Sequence, residues 1–275
     1  MIVRLVISEN EAMSIILVGL LLAVLVAGSV FCMLEFGRVV GRRRRLRGEE
    51  PLIGGAIEGA VFAIFGLLVA FTFSGAASRF EDRRALITQE ANAIGTAWLR
   101  LDLLPVQLQP AIRDDFRRYV DARLNTDGSA IGETVSQGMT RLGTLQGAVW
   151  SKAVVACRAD MTPATTTLVL PALNDVFDIA TKRLVAKINH PPMVIFLLLI
   201  ALALTCSFMA GLDMAQERQN RIHQCGFALV IAITLYVIMD LEFPRLGFIR
   251  IDAADQLLFD VRASMGPVSA VGTAP

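Results

Sequence analysis

The chain has 275 residues, of which 55% are hydrophobic and 19% are charged, and its mean hydropathy is +0.58. Soluble domains usually have fewer apolar and more charged residues. The formal net charge of +1 gives no basic field of the kind that nucleic-acid-binding proteins carry, so we expect no nucleic-acid partner. The apolar residues are concentrated in four blocks, and we therefore predict an integral membrane protein that lies in the lipid bilayer.

The four apolar blocks have the length of membrane helices, although the fourth is shorter than the others. At about 1.5 Å per residue, a helix needs about 20 residues to cross the hydrocarbon core. The blocks predict transmembrane helices at residues 13–36, 52–77, 193–212 and 222–239. A signal peptide is the alternative for the first block, but its apolar part would be only about 7–15 residues long. Because this block is longer and leads into Arg42–Arg45, we predict a membrane anchor.

A helical pattern continues from the second span into the region that follows it. Apolar residues recur every seven positions, at Phe80, Ile87, Ile94 and Leu101. This spacing is that of one apolar face of an α-helix. No Gly or Pro separates this face from the span before it. We therefore predict that the span and its extension form one long helix that ends near Pro105.

The rest of the region between the second and third spans is also rich in helix formers. Its patterns predict helices at residues 110–124, 133–160 and 168–192, with a loop at 125–132 and a break at 161–167. The predicted fold class is all-α: a four-span helical membrane protein with a helical extramembrane bundle at residues 78–192. The remaining segments are an N-terminal segment (1–12), an arginine-rich link (37–51), a short loop (213–221) and a C-terminal tail (240–275) whose last residues we expect to be disordered.

The cysteines and histidines are not spaced as metal ligands. The four cysteines form no CxxC pair, and both histidines, His190 and His223, lie at the edges of predicted spans. We find no phosphate-binding loop, no serine–histidine–aspartate set and no distinctive spacing of paired carboxylates. We therefore expect no cofactor, no metal site and no enzymatic activity.

Basic residues crowd the arginine-rich link and bear on the orientation in the membrane. The link contains Arg38, Arg42, Arg43, Arg44, Arg45 and Arg47. Positive charge in short loops favours the cytoplasmic side, which would place both termini and the large helical domain outside the cytoplasm. Arg79, Arg83 and Arg84 at the other end of the second span argue in the opposite direction. On balance the charge pattern favours the link being inside.

Small residues form one narrow stripe on a helical wheel of the second span. This small-residue stripe comprises Gly55, Gly59, Ala63, Gly66, Ala70 and Ser74. Gly55 and Gly59 have the GxxxG spacing. Helices in lipid associate through close approach of their backbones. The stripe therefore predicts a packing face, either for another helix of the same chain or for a neighbouring subunit.

A second line of side chains lies about a quarter-turn from the stripe. This line, called the pore row below, comprises Glu58, Phe62, Phe65, Val69, Thr72, Ala76, Arg79 and Arg83. An ionisable group inside a span is costly unless it faces protein or water. In a structural interpretation, Glu58 reaches the interface or pairs with a neighbour such as Arg38, and the aromatic residues are core. In a functional one, the row lines a pore with an acid at one mouth, a constriction at Phe65 and Val69, and arginines at the other mouth.

Three stretches of the chain resemble the bacterial bestrophin-like domain family. They are residues 57–105, the segment ALNDVFDIATKRL before the third span, and the segment MDLEFPRLGFIRI after the fourth. The similarity extends over residues 35 to 262. The family consists of integral membrane proteins and is named for a relation to bestrophins, which are pentameric anion channels. Each bestrophin subunit has four spans, and the second span lines the pore.

The resemblance implies a bestrophin-like, homo-oligomeric ion channel in the bacterial inner membrane, pentameric by analogy, with inorganic ions as its cargo. It also implies that the pore row lines the conduit and that Phe62, Phe65 and Val69 form its neck. One implication conflicts with the arginine-rich link, because bestrophins place both termini and the helical domain in the cytoplasm. The alternative function is a non-conducting scaffold or envelope sensor whose helical domain binds a protein partner.

Overall fold

The computed structural model describes residues 2–49, 55–128, 135–160, 162–215, 221–243, 249 and 252–267. Over these residues the regular structure is α-helical, apart from a short 3-10 turn at Leu101–Leu103. The helices are α1 (Ile2–Leu46), α2 (Gly55–Arg100), α3 (Gln109–Gly128), α4 (Val135–Asp160), α5 (Pro163–Ile188), α6 (Met193–Met214), α7 (Arg221–Glu242) and α8 (Asp252–Ser264). The predicted all-α class is confirmed.

Four helical stretches are long and apolar enough to cross a membrane. They are Gly19–Leu46, Gly55–Leu103, Pro163–Met214 and Arg221–Glu242. Each of them overlaps one of the predicted spans, so the prediction of four membrane helices is confirmed. The first helix continues through the arginine cluster to Leu46, because arginine is a good helix former and cations are favourable in the last turn. Gly48, with φ of 71°, follows the helix end.

The chain divides into two compact units, and the first comprises residues 1–81 and 189–250. In this unit α1 packs against α6 and α7. A Cβ atom added to Gly37 would collide with the backbone carbonyl of Phe208, and one added to Gly211 would collide with the carbonyl of Leu34. The backbones of α1 and α6 are therefore in direct contact, which is possible because glycine stands at both positions.

The core of the first unit is built by four helices. Its buried residues are Val30, Ala76, Phe196, Leu199, Ala203, Ala228, Ile231, Leu235, Ile238 and Leu241. Helix α2 contributes Ala76 to this cluster and packs Phe65, Leu68 and Val69 against it. One side of α2 thus faces the helices of its own chain.

The second unit comprises residues 82–188 and 251–275, and α2 continues into it without a break. The prediction of one long helix is therefore confirmed. Ile87, Ile94 and Leu101 of the seven-residue pattern are buried in this unit. The helix ends at Arg100, and Leu104 adopts an extended conformation, as expected for a residue that precedes proline.

Several predicted boundaries in the second unit are corrected. Helix α3 continues to Gly128 through the first half of the predicted loop, since glycine is a more common helix end than asparagine. Helix α5 begins at Pro163 rather than Leu168, because proline is favoured in the first turn of a helix. It ends at Ile188 rather than at residue 192, because Pro191 and Pro192 cannot continue it. The predicted C-terminal tail contains helix α8. Residues 52–54, 129–134 and 268–275, which include the predicted disordered end, lie outside the described residues.

Candidate functional site

The membrane part of α2 has one face against its own chain and one face that the described residues leave exposed. None of the residues in its most apolar 18-residue window is buried, whereas a third of the corresponding window of α7 is. The buried face carries Ala76, and the exposed face carries Leu67. These residues are nine positions apart, which is two and a half helical turns, so they lie on opposite sides of α2.

The pore row lies on the side of α2 that faces its own chain. Ala76 and Arg83 are buried, and the other six members are partly buried. Phe65 and Val69 pack on the core of the first unit. The Thr72 hydroxyl donates hydrogen bonds to the carbonyl oxygens of Leu68 and Val69, at 2.8 and 3.0 Å. Within one chain, Phe65 and Val69 therefore face the core of the first unit, and the assignment of the row to a pore stays a prediction.

The small-residue stripe lies on the exposed face. All six of its members, from Gly55 to Ser74, are exposed. A Cβ atom added to Gly55, Gly59 or Gly66 would meet nothing within 4 Å. The described part of the chain thus supplies no partner for the stripe, and its packing against a neighbouring subunit stays a prediction.

Large apolar side chains stand beside the stripe on the same exposed face. Leu67 is 56% exposed and Phe71 is 68% exposed, and Ile57 and Ile64 are also exposed. On the helical wheel Leu67 lies between the stripe and the flank formed by Ile57, Ile64 and Phe71. Sequence reasoning did not single out these residues, because apolar side chains in a span look alike whether they face lipid or protein.

The acidic end of the pore row has a partner that the sequence did not reveal. Glu58 faces the carboxyl group of Asp213, at the end of α6. Arg38, which the structural interpretation offered as a partner, instead donates from Nε to Oε2 of Glu35 at 3.1 Å. The site therefore presents two neighbouring acids at this end.

The arginine end of the row is engaged in the first unit by a buried acid. Glu242, at the end of α7, is 0% exposed. Its Oε2 accepts hydrogen bonds from Nε and Nη2 of Arg79 at 2.9 and 2.7 Å. His190 Nδ1 lies 2.9 Å from the other oxygen, Oε1, and the His190 ring stacks on Phe243. Arg79 is therefore neutralised within its own chain.

In the second unit, a buried charge cluster centres on Glu90 of α2. Arg123 of α3 donates to both Glu90 oxygens, at 2.7 and 3.2 Å, and Arg183 of α5 donates to Oε2 at 2.7 Å. Arg183 also donates to Asp255 of α8 at 2.6 Å. We call these four side chains the buried quartet. Separately, Arg83 Nε donates to the carbonyl oxygen of Ala186 at 3.0 Å, which links α2 to α5.

Tyr119 lies beside this cluster and is fully buried. Its hydroxyl makes no hydrogen bond of normal geometry with the described residues. Burial raises the pKa of Tyr119 to about 12, and the charge of Glu90 acts in the same direction, while nearby Gln146 and Arg123 act against it. The phenol is thus held in its neutral form.

Comparison with known proteins identifies the architecture. The family model described as bestrophin-like domain matches residues 23–255, which is most of the chain. The chain belongs to the bestrophin-like domain family. The suspected family resemblance is thereby confirmed. Among curated proteins, none is significantly similar to the chain.

Solved structures support the same fold for this bestrophin-like protein. A crystal structure of a bacterial bestrophin homologue from Klebsiella pneumoniae, determined by zinc phasing, matches with a TM-score of 0.65 at 13% identity, covering 87% of this chain and 98% of that one. A point mutant of the Klebsiella pneumoniae homologue matches with a TM-score of 0.66 at 12% identity, covering 88% and 98%. The bestrophin fold of a membrane protein is therefore established for this chain.

Proposed function

We propose that this bestrophin-like protein is a homo-oligomeric ion channel of the bacterial inner membrane, in which copies of α2 surround the pore. The observation that carries the proposal is the exposed face of α2. A span that packs on its own chain along one side leaves the opposite side for lipid, water or another copy. Five copies, the number that the resemblance to bestrophins implies, would bring these faces together around one axis.

The two flanks of the exposed face suit a ring of identical copies. The small-residue stripe forms one flank, and the larger side chains of Ile57, Ile64 and Phe71 form the other. In a closed ring each copy offers one flank to the neighbour on its left and the other flank to the neighbour on its right. Large side chains on a glycine-rich surface allow the close helix contacts that stabilise membrane oligomers.

This arrangement points the middle of the exposed face towards the axis. The residues there are Ala60, Leu67 and Ser74, which are separated by seven positions and are all exposed. Leu67 would then form an apolar neck, and its ring would set the width of the pore. The pore row predicted from the sequence is the competing lining, and it would require the first unit to open or rotate around α2.

The charges along α2 give no support to selection for anions. Glu58 and Asp213 place two neighbouring acidic groups at one end, and Arg79 is balanced by Glu242 at the other. Rings of acidic groups favour cations in channels. We therefore propose that the channel passes cations at least as readily as anions. Glu58 lies nine positions from Leu67, on the opposite side of α2, so Glu58→Gln shifts the permeability ratio towards anions only if the pore row, and not the exposed face, lines the conduit.

The proposal is tested by the size and the current of the purified protein. Native mass spectrometry in detergent should give a closed oligomer, with five copies as the expected number. In a planar bilayer under a potassium chloride gradient, the reversal potential of the current identifies the sign of the permeant ion. A monomer without current, for the wild type and for Phe65→Ala and Leu67→Ala alike, would contradict the channel and favour the non-conducting scaffold.

A further inference from the structure

Helix α8 is attached to the second unit through charged groups and through a buried apolar side chain, Leu258. Arg262 donates from Nε and Nη2 to the Asp121 carboxylate of α3, at 2.6 and 2.9 Å. Arg117 Nε donates to the carbonyl oxygen of Met265 at 2.9 Å. Leu258 and Met265 are buried, whereas Leu257 and Phe259 are largely exposed.

Such an attachment is expected to be reversible. A helix of 13 residues is marginally stable in water by itself. The Arg262–Asp121 pair is only partly buried, with 43% of the Asp121 side chain exposed, so salt screens the attraction and weakens the contact. The docked state of α8 should therefore exchange with an undocked state more readily than the helices of the core do.

A different contact of α8 reaches the interior of the unit. Asp255 accepts a hydrogen bond from Arg183, whose side chain is buried and also donates to Glu90. The charges of the buried quartet, which comprises Arg123, Arg183, Glu90 and Asp255, sum to zero. When α8 leaves, Asp255 leaves with it, and the three remaining side chains carry a net positive charge. An uncompensated charge in a protein interior is strongly unfavourable.

We propose that α8 is a reversible strap whose docking is coupled to α2 through Asp255, Arg183 and Glu90. Glu90 stands on the same continuous helix as the membrane span. Undocking of α8 draws Arg183 away from its position against Glu90 and loosens residues 82–100 of α2. Coupling between two states is reciprocal, so loosening Glu90 also favours undocking of α8. The strap is independent of whether the protein conducts ions.

Hydrogen exchange of the full-length protein in detergent tests the strap. Asp121→Asn removes the surface contact of α8 and leaves the sequence of α8 and the quartet intact. We expect amide exchange to increase about tenfold in α8 and several-fold in residues 82–100 of α2. Arg262→Gln should give the same result from the other side of the contact. Lys152→Gln, which breaks the ion pair of α4 with Asp115 of α3, is the matched control and should change neither segment.

Three outcomes would overturn the proposal. If α8 exchanges at the wild-type rate in Asp121→Asn and in 0.5 M salt (about three times shorter screening length than at 0.05 M), α8 is a fixed part of the fold. If α8 exchanges faster while residues 82–100 do not, docking is not coupled to α2. If α4 and α7 lose protection equally, the variant has unfolded globally and the coupling is not specific. Asp255→Asn removes a charge from the buried quartet directly. It should increase amide exchange in α8 and in residues 82–100 of α2 even if Asp121→Asn increases it only slightly.

Discussion

At the residue scale, the burial of Tyr119 is expected to make the free energy of unfolding depend on pH in the alkaline range. Its pKa is raised to about 12, mainly by burial, from the ordinary value of 10.0. Because the folded-state pKa lies above the unfolded one, the stabilisation is complete below pH 10 and is lost as the pH rises towards 12. A difference of about two pKa units corresponds to at most ~3 kcal/mol.

The matched variant is Tyr119→Phe, which keeps the ring and removes the ionisable group. We expect the midpoint temperature of thermal unfolding to fall between pH 9 and pH 12, a range of about three units around the tyrosine titration. This fall should be smaller in Tyr119→Phe than in the wild type. Tyr236→Phe, in α7, should behave as the wild type does. If the midpoint temperature falls by the same amount in the wild type and in Tyr119→Phe, the Tyr119 phenol does not cause the loss of stability at alkaline pH.

Glu242 provides a second prediction, because it is buried and neutralises Arg79. Glu242→Gln keeps the volume of the side chain and removes its charge, which leaves Arg79 without its carboxylate and weakens the contact with His190. We expect a loss of about 1–3 kcal/mol in the free energy of unfolding, a range that allows for the partial exposure of Arg79. Glu49→Gln removes a surface acid paired with Arg44 and should cost less than about 1 kcal/mol. Equal losses from the two variants would contradict the role of Glu242.

The side-chain contacts between residues distant in the sequence were the least predictable feature of the molecule. Glu58 was identified from the sequence because an acid within a span is rare, but its neighbour Asp213 was not. Arg79 and Glu242 are 163 positions apart, and nothing in their local sequences relates one to the other. A contact of this kind depends on how the helices pack, whereas a propensity or a period depends on the neighbouring residues alone.

At the scale of elements, two glycines of equal appearance in the sequence have opposite surroundings. A Cβ atom at Gly211 meets the backbone carbonyl of Leu34, whereas one at Gly66 meets nothing within 4 Å. Backbone atoms cannot yield as flexible side chains do, so Gly211→Ala must push α1 and α6 apart. We expect this variant to lose about 1–3 kcal/mol or more of stability. Gly66→Ala should not destabilise the isolated chain, because alanine is the better helix former, by up to about 1 kcal/mol.

Thermal unfolding in detergent, at a concentration at which the chain is monomeric, measures both variants. If Gly66→Ala destabilises the monomer as strongly as Gly211→Ala does, the exposed face of α2 contacts its own chain and is not free for a neighbour. From the sequence, the packing role is predicted for the glycines of α2 and not for Gly37 and Gly211. The small-residue rule recognises a surface that can be approached closely, but it does not say which helix approaches it.

Element boundaries followed from local signals where these were strong. The seven-residue pattern through Ile87 and Ile94 predicted the extension of α2, because a buried face must recur with the helical period. Helix α8 was missed because it has only 13 residues and its one buried apolar residue among those described, Leu258, gives no periodic pattern. Its contacts with α3 and α5 come from distant parts of the chain, and they supply stability that the local sequence does not show.

At the scale of the whole molecule, composition predicted the four membrane helices, and motifs predicted the family. These signals do not determine which face of α2 would line the pore axis of an oligomer. In water, an apolar stripe on a helix indicates the core, but in lipid both the core and the outer surface are apolar. The helical wheel therefore separated the pore row from the small-residue stripe without showing which of them faces the other helices of the chain.

A comparison of two apolar truncations decides between the two candidate linings. Leu67 lies on the exposed face of α2, and Phe65 belongs to the pore row and packs on the core. If the exposed face surrounds the axis, Leu67→Ala widens an apolar neck and raises the single-channel conductance. Phe65→Ala then leaves the conductance unchanged and lowers the stability of the subunit, by roughly 2–4 kcal/mol for a truncated aromatic residue in a core. Conductance that rises with Phe65→Ala and not with Leu67→Ala would place the pore row at the axis, and the first unit would then have to rearrange around α2 when subunits assemble.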